Sequence, residues 1–328
     1  MLALLQPLAM VLGCLVGWFS PAAAGVAGKL VDPLILLLVL SLFACLPRRP
    51  RDDASPAAHR PRPRIMLIAW VGNFVLIPIV AALASLALWR AEADIRLGVA
   101  IYMLSPCTDW FLGYTRLARG DTATGAALIP INMVTQLLLY PVWLFLFGGL
   151  SVGTILGEIL PTLGEWFVLP AVIGLGLRLI PGVGRVADRL VPWILAALVC
   201  CVIAANAEII LQHPALFGLV LGVVFCFFVL MYQLGKASFR ALRVDYPAEA
   251  LLTMTTSARN APLMLGLTTA LLPDRPLAHA ALILGMLVEF PHLAVITRLL
   301  LRRRPGSEAR SAAENLPRGG ISAAQAPR

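Results

Sequence analysis

Two charged residues, Asp109 and Arg259, lie near the middle of long apolar stretches of this 328-residue chain. A charge at the centre of a bilayer-spanning helix costs about 2.5–3.5 kcal/mol on insertion scales, so it commonly faces a partner or a transport pathway. We predict that Asp109 and Arg259 form an ion pair there. Glu289, within another apolar stretch, is a second acid that could carry a proton. A purely structural ion pair is the alternative, although a buried pair is weak evidence for stability.

A proline and several small polar residues accompany each of these two charges. Pro106 precedes Asp109 and Pro262 follows Arg259, each at a distance of three residues. A proline inside a helix leaves a backbone carbonyl without its hydrogen bond, and helices broken at corresponding positions of two halves indicate a substrate site. We therefore predict two helix breaks with a binding site for a small solute between them. The predicted substrate-binding residues are Asn73, Ser105, Cys107, Thr108 and Asn260.

Cys107 differs from the other five cysteines in its position, directly after the predicted break at Pro106. A thiol that faces a cavity is a soft ligand for a soft element, so we predict a transient thiol contact there. The alternative is that Cys107 only fills space, as small buried cysteines commonly do. The cysteines show no CxxC spacing and the four histidines form no ligand pair. We therefore predict no resident metal, no cofactor and no disulfide framework.

The composition is that of a membrane protein. Hydrophobic residues make up 60% of the chain and charged residues only 13%, with a mean hydropathy of +0.88, whereas a soluble chain carries about 25% charged residues. Membrane lipid therefore replaces water around most of the surface. The net charge of +9 does not indicate a nucleic-acid partner, because the arginines lie in short runs between apolar segments, where they would face lipid headgroups.

An all-α integral membrane fold is predicted, because apolar stretches of about 20 residues cross a bilayer as helices. We predict about ten transmembrane helices, at residues 2–20, 29–46, 65–89, 97–118, 123–149, 158–180, 189–212, 214–235, 248–272 and 277–301. They would form one carrier domain over residues 1–305. Residues 306–328 are rich in Arg, Ser, Ala, Pro and Gly and are predicted to be a disordered cytoplasmic tail.

A weak internal repeat divides the carrier domain into two halves, residues 1–150 and 151–305. The segment LYP at 139–141 is echoed by EFP at 289–291, and other proline-containing segments recur in the same order. Five spans per half is an odd number, so the second half must be inverted relative to the first, as in secondary transporters. The broken fourth and ninth helices would then cross. The alternative is that prolines in apolar helices match by chance.

The distribution of Lys and Arg predicts the orientation, since positively charged loops stay in the cytoplasm. One set of loops holds Arg48, Arg49, Arg51, Arg60, Arg62, Arg64, Arg116, Arg119, Arg178, Arg185, Arg189, Lys236, Arg240 and Arg243, and the opposite set holds only Lys29, Arg90, Arg96 and Arg275. With an even number of spans, both termini are predicted to be cytoplasmic. We predict a multi-pass protein of the cell (inner) membrane.

Four short segments match a known group of transporters. They are Pro106-Cys107-Thr108, Arg119-Gly120-Asp121, Asn73 with Pro78, and Leu287-Val288-Glu289-Phe290-Pro291. Through them the chain resembles the arsenite permeases of the arsenical-resistance type, within the bile acid/sodium symporter superfamily, over roughly residues 1–305. The resemblance implies an inverted-repeat fold with a panel domain and a core domain, and extrusion of trivalent arsenite, sometimes antimonite, in exchange for protons. It also implies that Cys107 is the cysteine required for transport.

Three positions differ from the pattern of these permeases. The permeases carry an apolar residue at the position of Asp109, a small residue at that of Arg259 and a glutamate at that of Leu263. The proton-coupling acid is therefore predicted to be Asp109 or Glu289.

The sodium-coupled branch of the superfamily provides the alternative function, in which a small organic anion enters with sodium or protons. The resemblance implies a glutamate and a glutamine as sodium ligands near Asn260, where this chain has Thr255 and Arg259. The implied sodium cage is thus incomplete, while Arg259 could bind an anionic substrate directly.

We predict a secondary active transporter, with arsenite efflux by proton antiport and alternating access as the first choice. Arsenite would dock at Cys107 with Thr108 and Asn260, while Asp109 exchanges its contact with Arg259 for a proton.

A membrane enzyme with Cys107 as nucleophile would lack a general base, since no histidine lies nearby in the sequence. A scaffold or sensor would not need two charges in the middle of the membrane.

Overall fold

The structure is a computed structural model that describes residues 2–45, 60–108, 110–212 and 214–304. Every regular element in these ranges is a helix. The helices are α1 (Leu2–Phe19), α2 (Pro21–Ala44), α3 (Pro63–Ala87), α4 (Ala93–Met103), α5 (Phe111–Leu117), α6 (Thr122–Gly148), α7 (Val152–Leu177), α8 (Val183–Gln212), α9 (Pro214–Ala241), α10 (Tyr246–Ser257), α11 (Ala261–Leu271) and α12 (Pro276–Arg302). The predicted tail at 306–328 lies outside the described residues.

Seven of the described helices are long and apolar enough to cross a membrane: α2, α3, α6, α7, α8, α9 and α12. The prediction of an all-helical integral membrane protein is therefore confirmed. The count of ten spans and the inverted repeat stay predictions. The predicted fourth and ninth spans are each divided into two short helices, α4 with α5 and α10 with α11, so none of these four pieces reaches the roughly 20 residues that a bilayer requires.

The outer surface is apolar, as a surface in contact with lipid must be. Phe19, Leu138 and Leu179 expose more than 70% of their area, and many other large apolar side chains are exposed on the long helices. In water such a surface would cause aggregation. This distribution supports the multi-pass reading of the sequence.

One group of helices is formed by α1, α2, α7 and α8, with α8 packed along both α1 and α2. Gly13 and Gly17 of α1 face α8 at the spacing of a GxxxG motif, which lets two membrane helices approach closely. A Cβ atom at Gly13 would lie 2.6 Å from the carbonyl oxygen of Cys200, and one at Gly17 would lie 2.7 Å from that of Ala204. We call this contact the glycine seam.

The second group contains the divided helices, and α12 lies at its centre, in contact with α4, α9 and α11. A Cβ atom at Gly285 of α12 would lie 2.5 Å from the ring of Tyr102 on α4. The absence of a side chain at Gly285 therefore lets α4 and α12 approach closely and places Tyr102 beside the buried face of α12.

The segment Arg119-Gly120-Asp121 forms the turn between α5 and α6. Arg119 adopts a left-handed conformation with φ of 59°, and the Asp121 side chain caps α6 by accepting a hydrogen bond of 3.0 Å from the Thr124 N–H. The Asp121 N–H donates to the carbonyl oxygen of Pro247, at 2.9 Å. The turn thus joins the end of the first divided span to the start of the second.

Candidate functional site

The interruptions of the two divided helices lie side by side. Pro106, between α4 and α5, and Arg259, between α10 and α11, form an isolated antiparallel bridge. The Cys107 N–H donates to the carbonyl oxygen of Ala258 at 3.1 Å, and the Asn260 N–H donates to that of Ser105 at 2.8 Å. In an unbroken helix these N–H and C=O groups would bond to groups of the same helix. Here they bond across from one interruption to the other. We call this contact the break contact.

The two prolines act differently at the break contact. Ser105 precedes Pro106 and is therefore disfavoured from the helical conformation, which is consistent with α4 ending at Met103. Pro262 does not lie in the interruption itself but in the first turn of α11, where proline is well tolerated. Because Pro262 has no N–H, the carbonyl oxygen of Ala258 has no helical partner four residues later, and it accepts from Cys107 instead.

The predicted substrate-binding residues Ser105, Cys107, Thr108 and Asn260 are all at most 2% exposed and meet at the break contact. The Asn260 side-chain amide donates to the Thr108 hydroxyl at 2.8 Å. The Asn260 Oδ1 atom has no hydrogen-bond partner among the described residues. A buried acceptor without a partner is unfavourable by about 1–3 kcal/mol, so such an atom indicates a place where a ligand or water binds.

Asn73, the fifth predicted substrate-binding residue, reaches the same region from α3. It lies in a π-helical turn at Gly72–Leu76, and such turns are frequent at functional sites. Its amide donates to the Thr255 hydroxyl at 3.3 Å and its Oδ1 atom accepts from the Arg259 guanidinium at 3.3 Å. Asn73 therefore contacts α10 and Arg259 in this structure.

Arg259 is the largest fully buried side chain of the described residues. Its guanidinium donates to the carbonyl oxygens of Met103 at 2.9 Å and Thr255 at 3.0 Å, in addition to Asn73. Its carbon Cζ lies 5.8 Å from the centre of the Phe227 ring. The predicted partner Asp109 lies outside the described residues, so the ion pair stays a prediction.

Glu289 is the acid that the structure places next to the break contact. It is fully buried on α12, and its Oε1 atom accepts from the Arg259 backbone N–H at 2.7 Å and from the Trp110 indole at 2.8 Å. Its Oε2 atom accepts from the Tyr102 hydroxyl at 3.1 Å. Three donors from the two divided helices thus contact one carboxylate. While they are in place they stabilise its negative charge, and their departure would favour its protonation.

The sequence analysis did not identify Tyr102 and Trp110 as partners of Glu289. Aromatic residues are common in apolar helices, so neither position carried a signal by itself. Trp110 was a near neighbour of the predicted break, and a buried indole N–H needs an acceptor. A search for an acceptor among the acidic residues of the other spans could therefore have paired Trp110 with Glu289.

A narrow gap adjoins the break contact, and in this conformation it has no room for a water-sized molecule. It is lined by Ile101, Leu104, Ser105, Gln136, Tyr140, Trp143 and Met264. Both polar atoms of the buried Gln136 amide lack a hydrogen-bond partner within the described part of the chain. By contrast, Thr135 accepts from the Trp70 indole at 3.2 Å and so joins two helices. Gln136 is therefore a buried polar side chain of α6 that lies beside Ser105.

In the part of the chain that the structure describes, no group of three or more His, Cys, Asp or Glu side chains could hold a metal ion. The predicted transient thiol contact at Cys107 does not require such a group.

The sequence was compared with protein-family models and with curated proteins. Residues 35–213, more than half of the chain, match the model of the Sodium Bile acid symporter family. This range contains the first interruption but ends before the second. No curated protein matches the chain. The family match, the apolar surface and the seven long apolar helices agree with one another, and the chain belongs to the Sodium Bile acid symporter family of membrane transporters.

Proposed function

We propose that the protein is a secondary active transporter that moves a small solute across the membrane by alternating access. Its ten spans would be the seven long helices, α1, and the two divided pairs, arranged as inverted repeats over residues 1–150 and 151–305. The antiparallel bridge between Pro106 and Arg259 supports this arrangement, because two breaks related by an inverted repeat would meet in opposite directions. The helices α1, α2, α7 and α8 would form one rigid unit and the remaining helices the other.

The proposed cargo is arsenite, and the observation that carries this proposal is the position of Cys107 at the break contact. A thiol is a soft ligand suited to a metalloid. Thr108 and Asn260 lie beside it, joined by a hydrogen bond of 2.8 Å, and could exchange that bond for the hydroxyl groups of the solute. An uncharged solute of this kind would not require a compensating charge at the site.

The proposed coupling ion is the proton, and Glu289 is its candidate carrier. The carboxylate touches Arg259, Trp110 and Tyr102, which belong to both divided spans. A rearrangement of the break contact would change the number of donors to Glu289 and so its affinity for a proton. Asp109 is the other candidate for the proton carrier.

A second candidate cargo is a small organic anion that enters with sodium. The family description names both sodium and bile acid, and the buried guanidinium of Arg259 provides positive charge at the site.

The proposed location is the cell (inner) membrane with both termini cytoplasmic, on the basis of the arginine-rich loops.

Everted membrane vesicles that contain the protein would test cargo and coupling together. Uptake of arsenite and of a taurocholate-like anion is measured under a proton gradient and, separately, under a sodium gradient, with vesicles lacking the protein as the control. We expect accumulation of arsenite under the proton gradient alone. Accumulation of the organic anion under a sodium gradient would replace the first proposal by the second, and no accumulation of either would contradict both.

A further inference from the structure

The guanidinium of Arg259 lies in a cluster of oxygen atoms of the kind that binds a small cation. The cluster consists of the carbonyl oxygens of Met103 and Thr255 and the side-chain oxygen of Asn73, at 2.9, 3.0 and 3.3 Å from the guanidinium nitrogens. All three oxygens are uncharged, and the guanidinium is completely buried among them. A buried positive charge needs compensation, which these dipoles provide together with the carboxylate of Glu289, 2.7 Å from the Arg259 backbone nitrogen.

The two carbonyl groups are available because the helix breaks remove their usual donors. In an unbroken helix, Met103 would accept from the N–H of Cys107, which instead donates to Ala258 at 3.1 Å. Thr255 would accept from the N–H of Arg259, which instead donates to Glu289 at 2.7 Å. Both carbonyls thus belong to the final turn of a helix whose last C=O groups need other partners.

The geometry also concentrates negative potential at this point. Met103 is the last residue of α4 and Thr255 lies in the last turn of α10. A helix C-terminus carries about half of an elementary negative charge, so two C-termini that both contact the guanidinium match about one positive charge. In transporters with broken helices, unwound carbonyls and half-helix C-terminal ends coordinate the coupling cation.

We propose that Arg259 is a built-in cation that takes the place of a coupling sodium ion in this site. Arginine retains its charge in proteins, so the oxygen cluster is neutralised permanently and has no need of sodium from solution. The substrate cycle would then proceed without sodium, although the family description names it. This inference rests on the proposed function in that it treats the break contact as the transport site.

Sodium binding by the purified protein tests the inference without any cargo. The apparent unfolding temperature of the wild type, Arg259→Lys, Arg259→Gln and Arg259→Ala is measured in sodium chloride and in choline chloride at equal ionic strength. We expect no sodium effect on the wild type or on Arg259→Lys, which keeps the positive charge. We expect sodium to raise the unfolding temperature of Arg259→Ala or Arg259→Gln by about 2 °C or more, since these variants leave the oxygens without a cation.

Sodium stabilisation of the wild type equal to that of the neutral variants would overturn the inference. So would the absence of a sodium effect on both neutral variants when they elute as monodisperse protein. If neither neutral variant folds, the unfolding temperature of the wild type decides alone. A rise in sodium chloride over choline chloride overturns the inference, and equal values in the two salts support it. Failure of arsenite transport would leave these results unchanged, so the cargo and the built-in cation are tested separately.

Discussion

The glycine seam and the break contact both join helices in the interior of the protein, but by different physical means. In the seam, α1 and α8 approach until a single added methyl group would collide with a backbone oxygen. In the break contact, the neighbouring chains exchange N–H and C=O bonds and leave several buried polar atoms for further partners. The seam is thus suited to a rigid unit, whereas the break contact is suited to a site whose hydrogen bonds change during transport.

The largest effect is expected from a bulky residue in the seam. Gly17→Leu would place a side chain where a Cβ atom already lies 2.7 Å from the Ala204 oxygen, which should lower the free energy of unfolding by about 3 kcal/mol. The control is Gly25→Leu, because nothing lies within 4 Å of a Cβ atom there. The yield and unfolding temperature of purified protein measure the difference. Equal losses in both variants would mean that the seam is not close-packed.

A loss of coupling without a loss of fold is expected from Glu289→Gln. The amide oxygen can still accept from Arg259 and Trp110, and the amide N–H can donate to the Tyr102 hydroxyl, so the packing persists while the charge is lost. Arsenite transport should no longer respond to a proton gradient. The exposed Glu165 of α7 offers the matched control Glu165→Gln, which should keep coupling. Coupling that survives in Glu289→Gln would assign the proton to Asp109.

A smaller effect is expected at the hydrogen bond between Thr108 and Asn260. A double-mutant cycle with Thr108→Val and Asn260→Ala should give a coupling energy of about 1 kcal/mol in the free energy of unfolding, the usual value for one such bond. Both single variants should also reduce arsenite transport by about tenfold or more. Additive effects on stability would show that the two side chains do not interact in the folded protein.

The smallest effect is expected outside both contacts, at the ion pair between Arg62 and Asp245. The charged atoms are 2.8 Å apart, but the side chains are 35% and 51% exposed, so solvent screening limits the pair to less than about 1 kcal/mol. Asp245→Asn should leave both the unfolding temperature and arsenite transport close to those of the wild type. A large loss of transport would identify this pair as part of the transport pathway.

Much of this protein could be predicted from residue types and spacing. The apolar stretches predict a helical membrane protein because lipid leaves the backbone no other partners, and Pro106 predicts the first break because proline restricts the residue before it. The second break was predicted near Pro262, but it lies at residues 258–260. At this break the Arg259 N–H donates to Glu289, thirty residues later, and no local pattern reveals that contact.

The partners of the buried charges could not be predicted in the same way. The sequence predicts Asp109 as the partner of Arg259, and that ion pair stays a prediction. The two carbonyls and the amide to which the guanidinium donates were not predicted. Those carbonyls become acceptors only once both helices are broken and placed side by side. The oxygen cluster is therefore a property of the folded contact rather than of either segment.

The central claim is that a small solute is transported through the break contact, and arsenite uptake into proteoliposomes tests it most directly. Purified wild type, Cys107→Ser and Cys226→Ser are compared under the same proton gradient. Cys226 lies exposed on α9, so its replacement controls for the loss of a thiol. We predict uptake by the wild type and Cys226→Ser and none by Cys107→Ser. Equal uptake by all three proteins would contradict the account.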